Sequence, residues 1–326
     1  MSSLQKKILS MVADDLSDIE KIIYKNLDPY LDIVKQTAEH IFLSGGKRLR
    51  PLLVTLCARL CGDDKGLGKR FSAIFEYLHT ATLLHDDLVD GATQRRGRDV
   101  ANTIWGNSTA VLVGDFLLAK SLEIAAEAED IEIIKIVAHI TREMAEGEIF
   151  QLLKRGDKNL SLDEYMMIIK GKTGVLIEGS CRTGALIAKA DRKQEKALIE
   201  YGFNMGMAFQ MADDLLDYTS DTASLGKETG ADLREGKLTL PVIIARKKAK
   251  ESDLLFIDKI IGKREFSLKE FEKFVSLLEK YQGIEYTKKC ILNHIDKAKK
   301  TLDIFGNSRP KETLMLIADY VFERKY

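Results

Sequence analysis

The chain has 326 residues, with 50 Lys and Arg against 50 Asp and Glu, 45% apolar residues and 31% charged ones. That is the balance of a globular protein, not a disordered one. A net charge of zero supplies no field for a long polyanion, which excludes nucleic acid as a partner and limits any anionic ligand to a small one. No stretch reaches the roughly 18 to 20 apolar residues of a membrane span. Met1 to Asp14 also lacks the apolar run of a secretion signal, so a cytoplasmic address is expected.

In chain order, the first segment of note is Gly45-Gly46-Lys47-Arg48-Leu49-Arg50-Pro51. Its glycines let backbone approach an anion, Lys47 and Arg50 supply charge, and the proline suits the start of a helix. Cysteines 57, 61, 181 and 290 match no zinc spacing and are expected to be buried small hydrophobes. No proline occurs between Pro51 and Pro241, so helices can run uninterrupted. After a break at Cys61 to Gly66, the residues Phe71, Ile74, Phe75, Leu78, Thr82 and Leu83 recur at helical spacing, as do Leu112, Phe116, Leu117, Ala119 and Leu122. Further breaks fall at Gly91 to Asn102, Arg155 to Asn159 and Ser220 to Lys237. Ser161, followed by Leu162-Asp163-Glu164, predicts a helix N-cap. Arg246 to Lys250 reads as an exposed basic helix face. With no linker and no repeat, the expectation is one all-α domain over residues 1–326, a bundle of long helices near the upper size for a single core.

Two segments place like charges beside core residues. Leu83-Leu84-His85-Asp86-Asp87-Leu88-Val89-Asp90 and Phe209-Gln210-Met211-Ala212-Asp213-Asp214-Leu215-Leu216-Asp217 share the pattern Asp-Asp-x-x-Asp. On a helix the first and last aspartates of each are one turn apart on one face, where they repel. A cation relieves that repulsion. Oxygen ligands without His or Cys at matching spacing suit Mg²⁺, which completes its shell with water and substrate phosphates. One such motif alone reads as a solvated helix end; two copies favour metal.

Cations that could meet a metal-bound polyphosphate follow: Arg95 and Arg96 in Gly91-Ala92-Thr93-Gln94-Arg95-Arg96-Gly97, then Lys172, Lys227 and Lys237. Taken singly, each is better read as a solvated surface charge. Gly230 to Gly236 is one residue too long for a phosphate-binding P-loop, and there is no nucleophile elbow for a serine. His79 lies two turns before Asp86 on the same helical face and can point the same way, or sit as a core histidine.

Together, the two aspartate motifs, Gly45 to Pro51, Arg95-Arg96-Gly97, Gly171-Lys172-Thr173, Gly226-Lys227 and Asp232 to Lys237 closely resemble the trans-isoprenyl diphosphate synthases, or polyprenyl synthetases. The resemblance runs from about residue 20 to the end of the chain. It implies an all-α isoprenoid synthase fold around a deep cavity, a homodimer, and aspartate motifs facing each other. It makes Asp86, Asp90 and Asp213 the Mg²⁺ ligands, with Asp87, Asp214 and Asp217 assisting. Three Mg²⁺ with Arg95, Lys172, Lys227 and Lys237 would hold the allylic diphosphate; isopentenyl diphosphate would sit on Lys47, Arg50, His79 and Arg96. Thr173 and Gln210 match positions that shelter an allylic cation, and Gln151 is expected to contact water or substrate, not metal.

The resemblance also places product length at the residues one turn below Asp86. Ala81 and Thr82 are small and Leu78 only moderately bulky, as in octaprenyl and heptaprenyl synthases, so the expected product exceeds geranylgeranyl length. Alternatives are a farnesyl or geranylgeranyl synthase, a terpene cyclase, or an inactive partner subunit. The cyclase lacks the second aspartate cluster, and silent subunits usually lose one; both are intact here.

Overall fold

The computed structural model describes residues 2–95, 97–219 and 230–323. In chain order its helices are α1 (Ser3–Asn26), α2 (Asp32–Leu43), α3 (Leu49–Leu60), α4 (Leu67–Val89), α5 (Ala101–Trp105), α6 (Asn107–Ala126), α7 (Ile131–Leu153) and α8 (Leu162–Ile169). A π-helical segment, Lys170–Gly174, leads into α9 (Val175–Ile187) and α10 (Arg192–Thr219). Then come α11 (Ala231–Arg234), α12 (Leu240–Lys248), α13 (Glu251–Ile260), α14 (Leu268–Lys280), α15 (Gly283–Thr301) and α16 (Arg309–Glu323). The all-α class read from the periodicity is the class observed. None of the described helices is long and apolar enough to cross a membrane.

The chain forms two compact units. The first comprises Met1–Thr141, Leu176–Gly202 and Thr301–Ile317. Helix α4 packs against α3, α6 and α1, and Phe71, Ile74, Phe75 and Leu78, the residues of the helical stripe, are buried in it. The buried Tyr77 hydroxyl donates to the Ile23 carbonyl at 2.6 Å, tying α4 to α1. Arg48 is the other anchor. Held at a positive φ of 46° just before α3, it donates from Nε to Glu20, from Nη1 to Glu76 and from Nη2 to the Phe42 carbonyl, which fixes the loop bearing Lys47. Gly91 to Asn102 is only partly loop. Gln94–Arg95 pairs antiparallel with Arg98–Asp99, a hairpin too short for alternation to reveal.

The second unit comprises Arg142–Val175, Phe203–Lys300 and Ala318–Tyr326. Ser161 caps α8 through a capping box with Glu164, and Lys154 reaches Glu164 at 2.8 Å and Asp157 at 2.9 Å. Helix α12 packs on α14 and α8. The basic run at Arg246 is corrected here: helix α12 ends at Lys248, and Arg246 is not a solvated charge but pairs with Asp258 at 2.6 Å. Lys247 and Lys248 are exposed as expected. The cysteines also divide: Cys57 and Cys181 are buried, whereas Cys61 and Cys290 are only half-buried.

Candidate active site

The first aspartate motif ends α4. Asp90 is its C-cap, with its N–H on the Asp86 carbonyl at 2.8 Å, so the one-turn spacing of the two carboxylates survives to the helix end. Negative side chains at that end face the negative pole of the helix dipole, an arrangement a bound cation stabilises. Asp86 and Asp90 are half-buried. Asp87 is buried and meets Arg95, whose Nε lies 2.9 Å from Oδ1 and 3.2 Å from Oδ2, with Nη2 2.8 Å from Oδ1. The short hairpin thus delivers Arg95 to the motif. Arg96 lies outside the described residues.

Farther up α4, Leu78 and Ala81 are buried, while Thr82 is half-buried and donates to the His79 carbonyl at 2.8 Å. His79 is half-buried, Arg50 is half-buried in the first turn of α3, and Lys47 is exposed in the preceding loop. His85 rests against Gly114: a Cβ there would stand 2.2 Å from His85 Nε2, so the ring occupies space that the glycine leaves on α6.

The second motif lies in α10, and its aspartates are used differently. Asp214 is buried and accepts from the Tyr165 hydroxyl and from Gln210 Nε2, both at 2.7 Å. Lost hydration pushes its carboxyl up to about 6, opposed by these two hydrogen bonds. Asp217 accepts from the backbone N–H groups of Gly230, Ala231 and Asp232 at 3.0 to 3.1 Å, forming the N-terminal cap of α11. Asp213 is half-buried.

Beside them, the π-helical turn widens the chain at Lys170–Gly174. It fits because glycines admit it on two sides: a Cβ on Gly147 would stand 3.1 Å from Gly171 Cα, and one on Gly206 would stand 2.7 Å from Gly174 Cα. The turn presents Lys172, whose Nζ donates to Glu148 Oε2 at 2.9 Å and Gln151 Oε1 at 3.1 Å. It also presents Thr173, whose hydroxyl donates to Gln210 Oε1 at 2.5 Å.

Lys172, Gln210, Asp214 and Lys237 share one pocket, about 540 Å³ of non-protein space that is partly open solvent, also lined by Gln151, Lys154, Tyr165 and Asp232. Lys237 pairs with Glu235. The Asp232 carboxyl is held well above the usual range, first by lost hydration and then by the neighbouring Asp217 and Asp214. Carboxyls crowded in this way favour an added cation. Tyr165, Lys154 and Glu148 do not stand out in the sequence: a tyrosine early in a helix carries no signal of its own. Lys227 lies outside the described residues.

Mg²⁺ is compatible with this donor set. Asp87, Asp214 and Asp217 have oxygens engaged by protein donors, while Asp86, Asp90 and Asp213 are half-buried carboxylates of the same two motifs. Among the described residues, no three His, Cys, Asp or Glu side chains converge by themselves to hold an ion. Mg²⁺ does not require three, because one or two carboxylates suffice when waters and substrate phosphates fill the octahedron.

Comparison with known proteins bears on this geometry. The polyprenyl synthetase family model matches residues 31–278. The chain is 34% identical to an octaprenyl diphosphate synthase of Haemophilus influenzae over 98% of this chain and 97% of that one. A crystal structure of a polyprenyl synthase from Caulobacter crescentus, complexed with calcium and isoprenyl diphosphate, superposes with a TM-score of 0.92 at 38% identity, covering 98% of each chain. A geranylgeranyl pyrophosphate synthetase from Pyrococcus horikoshii gives a TM-score of 0.91 at 32% identity, covering 98% of this chain and 99% of that one.

Proposed function

The chain belongs to the polyprenyl synthetase family and is a trans-prenyltransferase, and from that premise we propose that it joins isopentenyl diphosphate head-to-tail to an allylic diphosphate, with Mg²⁺, to give a product longer than geranylgeranyl diphosphate. The observation that carries the reading is the pocket in which two cations, Lys172 and Lys237, line the same space as the carboxyls of Asp214 and Asp232.

Asp86, Asp90 and Asp213 are the proposed holders of three Mg²⁺. When bound, the metal neutralises charge growing on the departing diphosphate. Lys172, Lys237, Lys227 and Arg95 meet the remaining negative charge. Lys47, Arg50, His79 and Arg96 seat isopentenyl diphosphate so that its alkene lies near the allylic carbon. Thr173 and Gln210 shelter the cation, and the released diphosphate takes the proton lost from the new bond. No protein nucleophile takes part. A homodimer in the cytoplasm is the proposed working form.

Small residues at Ala81 and Thr82 support the long product. Incubating the protein with farnesyl diphosphate, isopentenyl diphosphate and Mg²⁺, then reading product size, tests it. A product stopping at geranylgeranyl, as named for the Pyrococcus relative, would leave the reaction intact and overturn the length. Ala81→Phe is expected to shorten the product; unchanged length would place the floor elsewhere.

A further inference from the structure

Tyr165 has no part in the reaction as described, yet it is 2% exposed and spends its hydroxyl on Asp214 Oδ2. We propose that Tyr165 is a positioning residue which, through Asp214 and Gln210, fixes the Thr173 hydroxyl so that its lone pairs, and not its proton, are turned outward to the allylic cation. This rests on the reaction proposed above and deepens it.

The direction of each hydrogen bond follows from what its groups can do. An ionised carboxylate only accepts. Asp214 Oδ2 accepts a hydrogen bond from the Tyr165 hydroxyl and Oδ1 accepts one from Gln210 Nε2, both at 2.7 Å. The NH₂ end of the Gln210 amide therefore faces Asp214, and its oxygen faces Thr173. Thr173 must then donate, and it does so at 2.5 Å. A hydroxyl has one proton and two lone pairs, so Thr173 has only lone pairs left for anything else. A flipped amide would set oxygen against the carboxylate and give Thr173 a donor to accept from, freeing its proton to point at the cation. That dipole has the wrong sign for a developing positive charge.

Tyr165 secures this polarity by holding the carboxylate that selects it. Asp214 is itself buried, so losing one donor there is costly. Tyr165 in turn sits in the first turn of α8, behind the Ser161–Glu164 capping box and the Lys154–Glu164 pair. Four residues from three elements, none adjacent in sequence, thereby set one hydroxyl.

Tyr165→Phe removes a single oxygen. The expected result is a fall in kcat of about tenfold, the scale of one hydrogen bond to a charged group, with KM for both diphosphates and the Mg²⁺ dependence within about twofold of wild type. An allylic substrate bearing fluorine, which destabilises the cation, should be slowed more in the variant than in wild type. Thr173→Val should show the same signature and Thr173→Ser should restore the rate. In the Thr173→Val background, Tyr165→Phe should have no further effect. An additive double variant, an unchanged fluorine penalty, or a shift confined to KM or to Mg²⁺ dependence would overturn the proposal. If Tyr165→Phe does not fold, the Thr173 pair still tests it, since a Ser variant no better than Val removes the hydroxyl from the argument. Wild-type protein without prenyl transfer would instead overturn the reaction itself.

Discussion

Replacing Gly206 by Ala tests whether glycine packing positions the site. A Cβ at Gly206 would stand 2.7 Å from Gly174 Cα and 3.1 Å from its carbonyl oxygen. Carbon atoms settle at about 3.5 to 4.0 Å, so the π-helical turn must retreat from α10 by about 1 Å. The neighbour is backbone, and no rotamer change can relieve the contact. Overpacking of this kind costs about 1–3 kcal/mol, against which Ala regains about 1 kcal/mol of helix propensity. The net loss of about 0–2 kcal/mol lowers Tm by only a few degrees at about 2–4 °C per kcal/mol. Activity is the sharper readout, because the retreating turn carries Lys172 and Thr173 and a misplacement of about 1 Å costs about a hundredfold in rate. Thermal melting and steady-state prenyl transfer are measured on the variant and on Gly306→Ala, whose added Cβ meets nothing within 4 Å. Gly306→Ala should match wild type in both. Wild-type kcat in Gly206→Ala would refute the idea that this contact positions the turn.

Asp86→Ala and Asp213→Ala are each expected to lower kcat by at least about 10²–10³ with unchanged far-ultraviolet circular dichroism; retained activity would remove them from the metal set. Arg48→Met should destabilise the fold by about 3–5 kcal/mol in urea titrations, because it strands the buried Glu76 carboxylate, and a loss under about 1 kcal/mol would show that the pair is not coupled to folding. Burial pushes the Cys61 thiol up to about 12, so the folded state holds its proton more tightly than the unfolded chain, where a thiol titrates near about 8.5. The stability gained is whole below that value and is lost as pH rises toward about 12. Wild type should therefore lose more Tm than Cys61→Ala between pH 8 and pH 11, and parallel curves would contradict the assignment.

Much of the fold is written in local pattern. The stripe through Phe71, Ile74, Phe75 and Leu78 is buried in α4, and Ser161 caps α8 through the box its Glu164 completes. The π-helical turn could not be read, because its cause lies in Gly147 and Gly206, each far along the chain from the turn they admit. The hairpin that carries Arg95 is two residues per strand, shorter than any period. The division among the aspartates, by contrast, is legible once the helix is followed residue by residue. A match to Asp-Asp-x-x-Asp treats its aspartates alike, but on a helix each successive residue turns about 100°, so the second aspartate of each motif falls on another face. Leu84 and Asp87 are three apart, as are Met211 and Asp214, and all four are buried. The apolar stripe runs into the second aspartate of both motifs, and a carboxylate on a core face must find a protein donor. Following that stripe calls for a partner to each before any coordinates, and the partners are Arg95 for Asp87 and Tyr165 with Gln210 for Asp214.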